Sequence, residues 1–249
     1  MINLQLQTGT LRDYRALSEH HYRAKSPATA TRVWVLRDSR PSVVGRFLQR
    51  KDETRTVGVS VESLVSLSCR MRDHAMHERY GTHLSIKVRA RLLNDEVRCI
   101  SRVVVHPQYR GLGLAVRLVR ATLDNPMTPV TEALAAMGKV HPFFERAGMT
   151  AYPRQTYEDD ARLIAALKRV GMASTDLALT DKARNYVDSL EKTTRQWFFH
   201  ELSRWHARYY ARSGRHCSDP SVHLLAAQQK LMFEPVYYLF TSCEQNDEK

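Results

Sequence analysis

The sequence predicts an α/β fold: strands and helices alternate through the first 155 residues, then helices follow, then one last strand. Three observations support this. Runs with β-branched and aromatic alternation, such as Thr31-Arg-Val-Trp-Val-Leu-Arg37, sit between runs with apolar residues at helical spacing. After Pro153 the spacing turns helical and stays so to residue 232. The apolar run Val236-Tyr-Tyr-Leu-Phe240 then reads as a buried strand.

Element by element, residues 11–23 read as a helix carrying Leu11, Tyr14, Leu17 and His21, and Pro27 interrupts it. Residues 31–37 form a strand, Arg40-Pro41-Ser42 a turn, and 43–49 and 56–62 two further strands. Residues 86–94 look helical. Residues 98–106 (RCISRVVVH) make a strand with an apolar centre, as expected inside a sheet. Pro107-Gln-Tyr-Arg-Gly111 breaks it, and 114–124 is an amphipathic helix with Leu114, Val116, Leu118, Val119 and Leu123. Residues 130–137 form another apolar strand. A short helix at 142–147 ends at Gly148, and 150–153 opens one more strand. Helices follow at 160–170, 180–213 and 220–232, broken at Gly171 and around Gly214. Residues 244–249 read as a frayed, solvated tail.

The 249 residues, 43% hydrophobic and 26% charged, suit one elaborated domain or two small ones and exclude a disordered chain. No run approaches the roughly 20 apolar residues of a membrane span. The N-terminus lacks a basic segment leading into an apolar one, so neither a membrane partner nor a secretory signal is expected. Cys69, Cys99, Cys217 and Cys243 lie far apart with no C-x-x-C pair. That argues against a disulfide scaffold or a zinc ribbon and for a reducing cytoplasm.

The formal net charge is +12. Residues 1–155 hold 25 Lys and Arg against 13 Asp and Glu, residues 156–231 hold 12 against 9, and the remainder is acidic. Such a surplus draws polyanions: nucleic acid, an acidic surface or a phosphate-rich cofactor.

The chemistry-bearing stretch is Val103-Val-Val-His-Pro-Gln-Tyr-Arg-Gly-Leu-Gly-Leu-Ala115. A buried strand, a Gly-containing loop and a helix start follow one another. Backbone N–H groups at such a helix start, with its partial positive charge, suit a pyrophosphate. Gly111 and Gly113 let the backbone approach a ligand, and Arg110 adds a charge-assisted contact. The third Gly of a dinucleotide fingerprint and the Gly-Lys-Ser/Thr of a P-loop are both missing.

Gln108-Tyr-Arg-Gly111-Leu-Gly113 resembles motif A of the GNAT acyltransferases, and Pro142-Phe-Phe-Glu-Arg-Ala-Gly-Met149 is similar to their motif B. The resemblance covers residues 1–155 and the last strand. It implies a mixed central sheet, splayed beside Val103–Val105 and flanked by helices. Val103, Val104 and Val105 would pair with the pantetheine of an acetyl-CoA or another acyl-CoA. The N–H groups of Arg110, Gly111, Leu112, Gly113, Leu114 and Ala115 would cradle its pyrophosphate, with Phe143 and Phe144 along its other side. Because such a sheet needs two strands after motif B, residues 156–232 become a helical insertion and 233–243 the returning strand.

A narrower resemblance rests on Glu19-His-His-Tyr-Arg23, Pro27-Ala-Thr and Arg32-Val-Trp-Val-Leu-Arg37. These are similar to a subgroup holding GNAT domains joined to ABC-type ATPases and the phage Mom proteins, which place a carbamoylmethyl group on adenine in DNA. The resemblance implies roles for His21, Tyr22, Arg102 and Ala115. Ala115 departs from the Ser of Mom. It also implies iron held partly by His21 and Tyr22, with His141 and Tyr152 the nearest matches for further ligands.

Acyl transfer to an amine needs a proton acceptor and an oriented carbonyl. Residues 98–106 hold no carboxylate, so the base candidates are His21, His106, His141 and Glu132, or a bound water. Arg102 reads either as the partner of Glu132 or as a clamp for a substrate anion. Arg204, Arg208 and Arg212 recur on one helical face, with Arg215 beyond and Trp205 and Tyr209 adjoining. That pattern fits phosphate contacts with base stacking, or a solvated face over packed aromatics.

Three functions stay open at this stage. One is a Mom-like transferase acting on DNA. Another is an acyl-CoA-dependent N-acetyltransferase for a small amine, protein or aminoacyl-tRNA. The third is a non-catalytic module binding acyl-CoA or DNA. A homodimer is left open.

Overall fold

The computed structural model describes residues 3–21, 27–39, 54–153, 156–210, 219–232 and 235–242, without the side chains of Pro153, Thr180 and Tyr210. Its sheet comprises β1 (Leu4–Thr8), β2 (Ala30–Asp38), β3 (Arg55–Ser63), β4 (Val97–Val105), β5 (Val130–Ala135), β6 (Thr150–Pro153) and β7 (Val236–Thr241). The strands lie in the order β1-β2-β3-β4-β5-β7-β6. Neighbours run antiparallel from β1 to β4, β4 and β5 run parallel, and β5 and β7 are antiparallel again.

The helices are α1 (Leu11–Leu17), α2 (Arg70–Ala75), α3 (Ile86–Glu96), α4 (Leu114–Asp124), α5 (Phe143–Ala147), α6 (Glu158–Arg169), α7 (Thr180–Ser189), α8 (Lys192–Tyr210) and α9 (Pro220–Leu231). The chain divides into two compact units, Met1–Tyr152 with Pro235–Lys249, and Pro153–Glu234.

In the first unit the two sheet faces bury different helices. Tyr14 and Leu17 of α1 pack on Val33, Val59, Val61 and Val104. Leu93 of α3 and Ala75 of α2 pack on Val97, Val130, Tyr237 and Leu239 of the same face. Leu114 and Leu118 of α4 cover Leu36 on the other face. Val119 and Leu123 meet Ile100, Ala133 and Tyr238 there, with Phe144 and Ala147 of α5. This is the mixed α/β sheet flanked by helices that the sequence predicts, with a helical insertion between β6 and β7. In the second unit Leu163, Leu167, Val187, Phe198, Leu202, Trp205 and Leu224 form a separate core.

The sheet splays between its two parallel strands. Pairing of β4 with β5 covers Val97↔Val130, Arg98↔Thr131 and Cys99↔Glu132 and goes no further. Beyond that point β4 follows β3, to Gly58↔Val105, while β5 follows β7, to Ala135↔Val236. The β5-facing edge of β4 from Ile100 to Val105 therefore has no strand opposite it among the described residues.

Several boundaries differ from the sequence expectations. The helix expected over 11–23 ends at Leu17, and Ser18–His20 continues as a 3-10 turn. The helix expected over 180–213 is two, because Leu190 is extended and the Glu191 carboxylate caps the amides of Thr193 and Thr194. The strand expected over 130–137 stops at Ala135, where a turn begins. β1 and α2 carry too short a pattern to be predicted. The turn at 40–42, the strand at 43–49 and the tail 244–249 lie outside the described residues. Among those described, no helix is long and apolar enough to cross a membrane.

Candidate donor loop and acceptor face

β4 is bulged. Val61 faces Arg102 but Glu62 faces Ile100, so Ser101 is the extra residue on β4. Across from Val61, Arg102 projects to the α1 face, as Cys99 and Val104 do. The Ser101 hydroxyl donates to Val61 O at 3.1 Å and shares a 2.7 Å hydrogen bond with the Ser63 hydroxyl. Arg102 is half-buried, with Nη1 donating to Ser101 O at 2.6 Å. Val103 and Val105 are half-buried toward α4, and Val104 is buried toward α1.

After β4 the chain makes a 3-10 turn at Pro107–Tyr109, capped by His106, and reaches Gly113, the N-cap of α4. Gly111 has φ 81° and Gly113 φ 72°, both in the left-handed region. A Cβ built on either would meet nothing within 4 Å. The space before the helix start is therefore open, and glycine is required by the backbone rather than by crowding. The first amides of α4, on Leu114, Ala115 and Val116, have no intrahelical acceptor and point into that space. The Arg110 amide differs from expectation. It donates to Pro107 O at 3.2 Å to close the turn, leaving its side chain as its contribution to a ligand.

Phe144 is buried, its ring 5.0 Å from that of Tyr238, so it is core rather than lining. Phe143 is half-buried, its ring 4.4 Å from Phe144.

Glu132 sits where β4 and β5 part, and Arg72 holds it. The guanidinium donates twice to its carboxylate, at 2.7 and 2.8 Å, and once to Ser66 O at 2.9 Å. The Tyr237 hydroxyl adds a third bond to Glu132 at 2.7 Å. Arg72 is 1% exposed and Glu132 5%. Of the two readings of Arg102, the one as partner of Glu132 gives way to Arg72–Glu132, and both carboxylate oxygens are engaged, which removes Glu132 from the base candidates. Burial and the Glu132 charge push the Tyr237 phenol far up, so it stays a donor. Burial also raises the thiols of Cys69 and Cys99, with the Glu132 charge adding to it. Arg72 escaped sequence reasoning because α2 did. The signal was Glu132 itself, a carboxylate inside an apolar strand that requires a buried cation.

The remaining described candidates lie on several elements. His21, half-buried, closes the 3-10 turn after α1 through an amide bond to Ser18 O at 3.1 Å. Tyr22 lies outside the described residues. His141 is exposed and precedes α5, whose side chains pack on the face opposite α1. Tyr152 is half-buried beside Tyr237, ring centroids 6.3 Å apart. Among the described residues no three His, Cys, Asp or Glu side chains gather into a metal-holding group, so the implied iron finds no donor set there.

In the second unit Trp205 is buried, donating from Nε1 to Asp160 at 2.9 Å, and the Tyr209 hydroxyl donates to the other Asp160 oxygen at 2.9 Å. Trp205 is therefore core and the half-buried Tyr209 packs against it, so the stacking role expected for Trp205 is corrected and the Tyr209 hydroxyl is engaged within the unit. Arg204 is exposed, and Arg208 is paired with Asp159 at 2.8 Å. Arg212 and Arg215 lie outside the described residues.

No family model and no curated protein matches the chain. Similar solved structures include AtaTR bound with AcCoA, at 13% identity over 64% of this chain and 89% of that one, with a TM-score of 0.36. A KacTA–DNA complex matches at 15% identity over 59% of this chain and 85% of that one, with a TM-score of 0.31. Overlap at these scores is partial.

Proposed function

We propose that the first unit is a GNAT-type, acyl-CoA-dependent N-acyltransferase whose acceptor is an amine on a nucleic-acid base, adenine in DNA being the acceptor the Mom resemblance implies. One observation carries this reading: the unpaired edge of β4 ends at an open, left-handed glycine loop leading into a free helix N-terminus. An extended amide chain fits the first, and a pyrophosphate the second.

In this reading the Ile100–Val105 edge orients the donor arm by backbone hydrogen bonds. The amides of Leu114 and Ala115 and the Arg110 side chain hold the phosphates. When bound, the donor supplies a thioester whose carbonyl carbon accepts the amine while the C–S bond breaks. The acceptor enters on the α1 face, where Arg102 presents its charge. His21 takes the proton from the attacking nitrogen, since Glu132 is engaged and His141 precedes a helix of the other face.

The donor half is tested by calorimetry with acetyl-CoA. Gly113→Glu strains the left-handed N-cap and puts a carboxylate where an anion belongs, so binding should be lost. Unchanged affinity would remove the loop from the reading. The base assignment is tested by His21→Ala, which should lower kcat by about 10²–10⁴ with donor affinity unchanged. The acceptor half is tested by mass spectrometry of nucleosides from DNA of cells making the protein. A modified adenine absent with Gly113→Glu is expected. Donor binding without any modified nucleoside would transfer the reading to a small amine, a protein or an aminoacyl-tRNA.

A further inference from the structure

The end of β4 gathers basic residues beyond the Arg110 of the donor loop. His106 continues β4, its amide on Val57 O at 2.9 Å, and its ring lies on the α1 face with that of His20. The two imidazoles meet edge-on with centroids 5.2 Å apart. Arg55, the first residue of β3, is exposed and donates from Nη1 to Gln108 Oε1 at 3.4 Å. Arg110 arrives from the loop, its Nε on Val105 O at 3.4 Å. Of the charges bearing most on the His106 ring, Arg55, His20 and Arg110 are basic and only Glu19 is acidic. Glu19 is itself 79% exposed and 3.7 Å from His20.

The hydrogen bonding of His106 decides what the ring can offer. Its Nδ1 accepts the Gln108 amide at 3.3 Å, so in the neutral ring the hydrogen sits on Nε2. Burial and the surrounding cations keep the imidazolium below its ordinary range. The ring is then an uncharged donor beside two guanidinium groups, not a general base. Such a mixture of fixed charge and neutral donors suits an oxyanion shared with solvent.

We propose that His20, Arg55 and His106 form a phosphate subsite for the backbone of a polynucleotide acceptor, bordered by the donor loop's Arg110. This deepens the acceptor reading above and rests on it. Two observations separate the subsite from the donor's phosphates. His20 and His106 lie on the α1 face, whereas the free helix amides belong to α4 on the opposite face. An acyl-CoA also needs only a few cations, whereas residues 1–155 hold 25 basic residues against 13 acidic. On the same strand and face, four residues back, stands Arg102 at the bulge, so a nucleotide anchored at His106 would have its base side toward the splay.

The test uses the full chain, labelled DNA oligonucleotides in single-stranded and duplex form, and the variants His20→Gln/Arg55→Gln and Arg55→Gln alone. Arg55 is on the surface, so the single variant keeps the question answerable if the double one folds poorly. Anisotropy titrations at several salt concentrations should show oligonucleotide affinity reduced about tenfold in the double variant. The salt slope should be shallower by about 1 for each phosphate that the variant no longer neutralises. Calorimetry should show equal affinity for acetyl-CoA in wild type and variants. Unchanged oligonucleotide affinity and slope would overturn the subsite. Weakened binding of acetyl-CoA, with 3′-dephospho-acetyl-CoA unaffected, would also overturn it, since the cluster would then read the donor. A wild-type chain that binds acetyl-CoA but no oligonucleotide would overturn the subsite and the acceptor reading together, leaving the donor reading standing.

Discussion

Arg72 and Glu132 show how a single pair of side chains shapes the candidate site. Two opposite charges are withdrawn from water at the point where β4 and β5 part, and Tyr237 and Ser66 O complete their hydrogen bonding. The desolvation cost of such a pair is offset only while both partners stay. Glu132→Ala should therefore cost about 3–5 kcal/mol by leaving a buried guanidinium unpaired. Arg72→Met combined with Glu132→Leu should recover much of that loss, because neither charge is then stranded. Urea unfolding of the three proteins measures both effects. A double variant as unstable as the single one would mean the pair contributes packing rather than charge balance. The same pair explains why the β5 carboxylate has both oxygens taken up despite its position, something a sequence cannot reveal without α2 in view.

At the scale of elements, α8 decides between two readings of one pattern. Arg204, Arg208, Trp205 and Tyr209 fit either a nucleic-acid face or a packed helix when spacing alone is considered. The structure buries Trp205 and half-buries Tyr209: both hydrogen-bond Asp160 of α6, so one carboxylate fastens two rings. Trp205→Ala should cost about 3–5 kcal/mol as a core truncation. Arg208→Ala should stay within about 1 kcal/mol, since its pair with Asp159 is exposed and screened. Thermal melts of the two variants test this; a Trp205→Ala protein of native stability would put the ring back on the surface.

Legibility from sequence follows the same physics. α4, β6 and the glycine loop were readable because amphipathic period, Pro and paired Gly are local signals. β1 and α2 were not, since five- and six-residue elements take their stability from neighbours distant in sequence. Arg72 is therefore invisible in the sequence, which leaves Arg102 open as a partner for Glu132. His20 and Arg55 escaped for a related reason, because only strand pairing brings residues 20, 55 and 106 together.

At the scale of the whole molecule, each compact unit contains a histidine with a depressed pKa. In the first unit His106 is held down by burial and by Arg55, His20 and Arg110. In the second, His206 is held down by burial and then by His223, whose ring lies 4.2 Å away at 32°. His206 and His223 are both buried, and Ser203 bonds His223 Nδ1 at 3.2 Å. A histidine whose folded pKa lies below its unfolded value binds its proton more readily in the unfolded chain. Stability then rises with pH across that interval and is lost as pH falls below the ordinary imidazole range near 6.5. Both units should therefore lose protection between about pH 6.5 and 5. Hydrogen exchange at pH 7.5 and 5.5, corrected for intrinsic rates, resolves α8 and α9 from β3 and β4. His206→Gln removes the titrating group from the second unit, so α8 and α9 should lose most of their acid sensitivity while β3 and β4 keep theirs. Equal acid sensitivity of α8 and α9 in wild type and variant would show that carboxylates, not the histidine pair, set the acid limit of that unit.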